Sequence, residues 1–473
     1  MNGNQNRQKN GGMNMYFKQI TVEGMGCLSY LIGCPQAKVA CVVDPKRDVQ
    51  DYINLARDNG MKITHIFETH VHADHVSGNQ ELRSRTGAKI CFMENSPVAF
   101  DHIELKEGQR MAFGNAMLEF LKTPGHTPHS MSILVTDMLR SMEPWLVLTG
   151  DCLFVGDIGR PDLAGEELID EQTRNLYNSL YHKLGNMPAN LEIFPAHGEG
   201  SLCGKGMSSK SSSTIGFEKT NNPVLNLTAE IFEKQMKQSF PERPKSFSHI
   251  IQTNKNGAPL LNRCPITRDM SPCQVKDQID RGALILDTRD TAAFGGVHIP
   301  GSINIGFAKQ TANWIGMVID PDTKLILIVS DEEAYENMTI HLHRIGYDNI
   351  IGYLYGGMAA WQEAGYPIHQ LWQISTEKLS NKLKTGKYDY LYDVRTPSEW
   401  STGHIRQAVH LPLTAILNNA PEIPKDKEII VTCGIGYRGN IAASFLQSQG
   451  FQHVHSLAGG MKAWINSGQS MTV

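Results

Sequence analysis

The C-terminal part of the chain repeats itself, and the repeat limits what it can fold into. The segment ALILDTRDTAAFGGVHIPGSINI at 283–305 matches YLYDVRTPSEWSTGHIRQAVHL at 390–411. Each copy is an apolar run ending in Asp-x-Arg, then a helix-like segment, then His-Ile and another short strand. Each closes alike, with LYGGMAAW at 354–361 and LAGGMKAW at 457–464. Asp287 and Asp393 lie 106 positions apart, and Trp361 and Trp464 lie 103 apart, which marks a duplicated domain and not a solenoid unit. Strand–helix alternation within each copy predicts a small parallel α/β sheet.

The N-terminal part reads differently. Its densest signal is THVHADH at 69–75. His70, His72 and Asp74 alternate, so an extended chain puts them on one side, and His75 follows on the turn. The apolar runs KITHIFETH (62–70), MLEFLKTPGH (117–126), WLVLTGD (145–151) and LEIFPAH (191–197) all end in metal-type residues, adding His126, Asp151 and His197. Strands that end this way gather a polar cluster at one rim of a sheet. A lone histidine is more often a core residue; four metal-type side chains in one loop, with partner strand ends, are not. Imidazoles with carboxylates suit zinc or iron.

Composition narrows the classes. A chain of 473 residues, 41% of them hydrophobic, suits about three globular domains at roughly 150 residues each. With 44 basic and 48 acidic residues and no long basic run, nucleic acid is not an expected partner. No apolar stretch approaches the ~18 residues that span a bilayer, and no signal peptide is read, so the expected location is cytoplasmic. The nine cysteines include no CxxC pair and are expected to be thiols. Residues 1–14 read as a disordered tail. The Pro-rich, aperiodic stretch 240–265 marks the end of the first domain. The expected domains are 15–255, 262–370 and 371–473.

The last domain contains EIIVTCGIGYRGNIAASFLQSQG at 428–450. A buried strand delivers Cys433 to a glycine-rich loop that opens a helix, where backbone N–H groups favour a thiolate. Arg438 is placed to pair with an anionic substrate, and Gly434, Gly436 and Gly439 let the backbone close around Cys433. Aligned without gaps, the first copy has Ser330 where the second has Cys433, and Asp331, Glu332 and Glu333 follow it. Serine cannot form a persulfide, so this copy is read as catalytically dead.

The N-terminal set resembles the metallo-β-lactamase superfamily: an HxHxDH loop, a later His, an Asp after Thr-Gly, and a final His. The resemblance covers roughly residues 15–235 and implies an αββα sandwich. In hydrolytic members the positions matching His70, His72 and His126 hold one zinc, Asp74, His75 and His197 a second, and Asp151 bridges. In the superfamily's persulfide dioxygenases, the positions matching His70, His126 and Asp151 hold one Fe(II) per chain. His72, Asp74, His75 and His197 then become partners that orient the ligands. The segment TGDCLFVGDIGRPDL at 149–163 resembles the dioxygenase signature, with Arg160 where those enzymes place an arginine near the substrate. Cys203, six residues after His197 in HGEGSLCGKG, is either a thiol at the mouth of the iron pocket that parks sulfane sulfur, or a loop cysteine without a role. Cys27, Cys34, Cys41, Cys91 and Cys152 read as core.

Cys433–Arg438 resembles the rhodanese loop CxxGxR, supported by DVR at 393–395, GHI at 403–405 and GGMKAW at 459–464. The whole order, a metallo-β-lactamase αββα sandwich followed by two rhodanese-like α/β domains, resembles the CstB-type persulfide dioxygenase–sulfurtransferases of bacteria. That resemblance implies O2-dependent oxidation of low-molecular-weight persulfides to sulfite. The carrier would be glutathione, bacillithiol or coenzyme A. A Cys433 persulfide would then give thiosulfate, in sulfide detoxification. A homo-oligomer is also expected. The ligands alone leave two other readings open: a glyoxalase II-type dizinc thioester hydrolase with an accessory rhodanese, or a non-enzymatic sulfane-sulfur carrier.

Overall fold

Alternation along the N-terminal strands buries both of their faces. In Leu146–Gly150, Leu146 and Leu148 enter one apolar cluster and Val147 enters another. In Cys27–Cys34, Leu28, Tyr30 and Ile32 point one way and Leu31 the other. Two six-stranded sheets result. One runs Tyr16–Val22, Cys27–Cys34, Val39–Val43, Lys62–Phe67, Lys89–Met93, Ile103–Leu105. The other runs Ser213–Thr214, Glu192–Pro195, Leu146–Gly150, Met131–Asp137, Ala116–Lys122, Arg110–Phe113. Tyr30, Phe67, Leu118, Phe120, Ile133 and Val135 fill the space between the sheets. Helices Gln50–Asp58 and Asn79–Thr86 cover the outer face of the first sheet, and Ile169–Asn178 and Ala229–Met236 that of the second. This is the expected αββα sandwich.

This computed structural model describes residues 15–22, 24–204, 206–237, 240, 243–261, 268–419, 422 and 424–473. The expected tail 1–14 and Cys264 lie outside the described residues. The chain divides into two compact units, residues 1–241 with 247–262, and 242–246 with 263–473. Among the described residues no helix is long and apolar enough to cross a membrane.

One expectation needs correcting. The stretch 240–265 is not aperiodic throughout, because Ser246–Asn256 forms a helix of 11 residues. Phe247, Ile250 and Ile251 recur at helical spacing, and Phe247 and Ile251 pack with Ala73 and Leu163. The surrounding prolines masked that period.

The second unit holds two five-stranded sheets of the same topology. One runs Asp269–Met270, Ile350–Leu354, Leu325–Ile328, Leu284–Asp287, Ile303–Asn304. The other runs Trp372–Ile374, His453–Leu457, Glu428–Thr432, Tyr390–Asp393, Val409–His410. Every neighbouring pair is parallel. The repeated Asp-x-Arg does the same work in both copies. Arg289 donates to Asp287 at 2.6 Å and to the Val297 carbonyl at 2.8 Å. Arg395 donates to Asp393 at 2.7 Å and to the Gly403 carbonyl at 2.8 Å. The copies meet through buried amides. Asn440 donates to Asn304 at 2.5 Å and accepts from Gln373 at 2.8 Å, and the Tyr437 hydroxyl donates to the Gly306 carbonyl at 2.8 Å. Asn440→Ala leaves the buried Asn304 amide and the half-buried Gln373 amide without this partner. It is expected to destabilise the second unit by about 1–3 kcal/mol, measured as a lower urea midpoint with an unchanged slope.

Candidate functional site

Four strand ends of the sandwich deliver the expected residues to one place. Thr69–His75 follows Lys62–Phe67, and His126, Asp151 and His197 follow Ala116–Lys122, Leu146–Gly150 and Glu192–Pro195. His70, His126 and Asp151 are buried and bring one ligand atom each within 4.8 Å of one another.

The proton positions follow from their partners. Thr69 donates its hydroxyl to Asp44 at 2.8 Å, so the 3.0 Å contact between Thr69 and His70 Nδ1 requires the imidazole to donate. His126 Nδ1 faces the Arg160 carbonyl at 2.9 Å and must donate too. Both Nε2 atoms therefore turn lone pairs toward Asp151 Oδ2, at 3.8 Å from His70 and 3.4 Å from His126. His70 Nε2 and Asp151 Oδ2 are buried and make no hydrogen bond. Three converging acceptors without a proton among them fit a cation. Burial and the imidazoles beside it hold the His70 pKa well below its ordinary value, so the ring stays neutral and able to ligate.

The other histidines do different work. His72 Nε2 lies 3.1 Å from Asp44 and 3.2 Å from Glu68, turned toward those two carboxylates. Burial opposes its charge, but Asp44 and Glu68 raise its pKa well above normal. His197 sets Nδ1 2.6 Å from Asp151 Oδ1 and Nε2 2.7 Å from Asp74 Oδ2. Burial opposes its charge as well, yet the two carboxylates raise its pKa well above normal; Nδ1 donates to Asp151, while Nε2 completes no hydrogen bond and joins Cys27, Asp74 and His75 in a second group able to hold a cation. Asp74 also accepts from His75 Nδ1 at 3.1 Å.

Several residues here carried no sequence signal. Asp44, in the left-handed region at φ +49°, accepts from the Thr69 N–H at 2.7 Å and so fixes the loop that carries His70. Asn254, on the Ser246–Asn256 helix, donates to the His72 and His75 carbonyls at 2.9 and 2.8 Å. Cys27 is not merely core. Its thiol donates to Asp74 at 3.2 Å and its backbone bridges to His197, because it opens the strand at the rim.

Cys203 groups with Asp151 and His197 and is only 1% exposed, which places it inside the site and not at its mouth. Burial pushes its thiol pKa well above normal. Arg160 is 2% exposed, and its guanidinium grips Asp162 through two 2.7 Å hydrogen bonds. It lines a cavity of about 270 Å³ with Gly159, Gly204, Gln235, Met236 and Phe240.

In the second unit Cys433 is fully buried at the end of Glu428–Thr432. The Gly436 N–H donates to its sulfur at 3.1 Å, and Gly436 takes φ +94° to open helix Tyr437–Ser448. Arg438 does not point at open solvent. It makes two hydrogen bonds to Glu399, at 2.7 and 2.6 Å. In the first copy, Ser330 donates to Asp331, and Asp331 caps helix Glu332–Arg344 with its own carboxylate. That helix start already holds an anion.

Comparisons agree with this architecture. The profile for the metallo-beta-lactamase superfamily matches residues 22–197, and that for the rhodanese-like domain matches 271–364 and 375–467. The chain is 31% identical over 233 residues to the mitochondrial persulfide dioxygenase ETHE1 of Bos taurus, covering 48% of this chain and 82% of that protein. It is 38% identical over 96 residues to a sulfurtransferase of Allochromatium vinosum, covering 20% of this chain and 90% of that protein. A crystal structure described as a metallo-beta-lactamase from Staphylococcus aureus superposes with TM-score 0.65 at 32% identity, over 72% of this chain and 99% of that one.

The hydrogen bond from His70 to Thr69 orients one candidate ligand, so Thr69→Val is expected to weaken metal retention about 10- to 100-fold. Competition with a chromogenic chelator measures this, and His70→Ala provides the reference for full loss.

Proposed function

The chain belongs to the persulfide dioxygenase family of metallo-β-lactamase-fold proteins and carries two rhodanese-like domains, and from that premise we propose that it oxidises a low-molecular-weight thiol persulfide, such as glutathione persulfide, and passes sulfur through Cys433 to make thiosulfate. It would do so in the cytoplasm, in sulfide detoxification. One observation carries the first half. His70, His126 and Asp151 present three proton-free acceptors on one side of a common point. Two imidazoles and one carboxylate suit ferrous iron with positions left open. When bound there, iron would supply the redox chemistry that joins dioxygen to a persulfide sulfur.

The chain's own residues set the conditions. Thr69 and the Arg160 carbonyl keep His70 and His126 in the ligating tautomer. His197 holds the second oxygen of Asp151 and leaves Oδ2 to face the imidazoles. A dizinc hydrolase would need His197 and Asp74 as ligands. The same rim gathers Cys27, Asp74, His75 and His197 into a second group able to hold a cation, so the preference for a single ion rests on the likeness to persulfide dioxygenases. The cavity at Arg160 is of a size to take part of the thiol carrier.

Persulfide, dioxygen and water give thiol and sulfite. At Cys433, a sulfane sulfur held as a persulfide is attacked by sulfite. The sulfur–sulfur bond breaks, thiosulfate leaves, and the thiolate remains under the Gly436 N–H. The first copy, with Ser330 in that place, takes no sulfur.

Cys433→Ser is expected to keep O2 uptake with glutathione persulfide while the product changes from thiosulfate to sulfite, followed by oxygen electrode and ion chromatography. An unchanged thiosulfate yield would remove Cys433 from the pathway.

A further inference from the structure

We propose that Glu399 is a specificity-determining residue of the Cys433 loop, setting its affinity for sulfur oxyanions by holding Arg438 in an ion pair that an incoming anion must share. The inference rests on the sulfur-transfer reading of Cys433. The pair lies directly over the loop. A Cβ built on Gly434 would stand 3.3 Å from the Arg438 guanidinium and 3.6 Å from the Glu399 carboxylate. Both hydrogen bonds are short, 2.7 and 2.6 Å, and the guanidinium side chain is only 20% exposed.

The duplicated fold supplies an internal control. The alignment that pairs Asp287 with Asp393 places Ala293 opposite Glu399, and the one that pairs Ser330 with Cys433 places Tyr335 opposite Arg438. Carboxylate, guanidinium and thiol are lost together in the first copy. Tyr335 is instead buried against Tyr353, with ring centroids 4.7 Å apart. The Asp287–Arg289 and Asp393–Arg395 pairs survive in both copies with matching carbonyl contacts. The fold therefore needs one ion pair and does without the other. Glu399–Arg438 accompanies the cysteine.

The chemistry follows from charge. A sulfite or thiosulfate dianion approaching Cys433 meets a guanidinium that a carboxylate already half-neutralises. The carboxylate repels the anion and competes for the same N–H donors. Glu399 thereby weakens oxyanion binding, which favours release of thiosulfate once it has formed. Its burial is partial, 37% of the side chain being exposed, so the effect is that of a screened pair.

Glu399→Gln isolates the charge, because the amide oxygen can still accept from Thr396 in the capping box at the start of helix Pro397–Ser401. The full chain is compared as Cys433→Ser and as Cys433→Ser/Glu399→Gln, with thiosulfate as the probe in calorimetry, so that neither protein turns over. Thiosulfate is expected to bind roughly threefold to tenfold tighter to the double variant. Cys433→Ser/Glu399→Asp, which keeps the charge, is expected to stay within about twofold of the single variant. Equal or weaker binding after Glu399→Gln overturns the assignment. Sulfur transfer from thiosulfate to cyanide by the wild-type chain tests the reading of Cys433 separately. If the charge-neutral variant melts early, the Asp variant still decides: thiosulfate binding more than about twofold weaker than in the single variant, although the carboxylate is withdrawn from Arg438 by one methylene, contradicts competition.

Discussion

The metal domain depends on where three protons are not. His70 Nε2, His126 Nε2 and Asp151 Oδ2 converge as bare acceptors because each residue's other polar atom is already engaged: with Thr69, with the Arg160 carbonyl, and with His197. Buried acceptors that repel one another persist only if a cation joins them or the surrounding fold holds them there. The sandwich provides the holding. Its strands end at one rim, and the chain beyond each end carries one member of the set.

The layer outside these residues divides the labour among residues of the same type. Asp44 and Glu68 raise the His72 pKa, Asp151 and Asp74 raise that of His197, and burial lowers that of His70. Five histidines clustered in sequence or space thus do different work, and carboxylate placement decides which. Asp44 links two of them. It accepts from Thr69, which orients His70, and it also faces His72.

Much of this was legible in the sequence. The repeat gave two parallel sheets, and THVHADH with three later strand ends gave the rim cluster. Ser330 opposite Cys433 marked the first copy as the one without the thiol. What was not legible came from tertiary placement. Thr69 and Asp44 look like ordinary loop residues until the strands Val39–Val43 and Lys62–Phe67 set them side by side. Cys27 begins a strand buried along its whole length, so its sequence reads as core. Arg160 matched a signature by position, yet its contact with the candidate ligand His126 is made by its carbonyl oxygen. Glu399 is distant from Cys433 in sequence, and only the parallel register of Tyr390–Asp393 beside Glu428–Thr432 brings them together.

The proposed chemistry needs a single ferrous ion on two imidazoles and one aspartate. Metal analysis of protein purified without oxygen, paired with O2 uptake on glutathione persulfide, tests it most directly. About one iron per chain and iron-dependent uptake are expected. Two zinc ions per chain, with thioester cleavage and no O2 consumption, would contradict it.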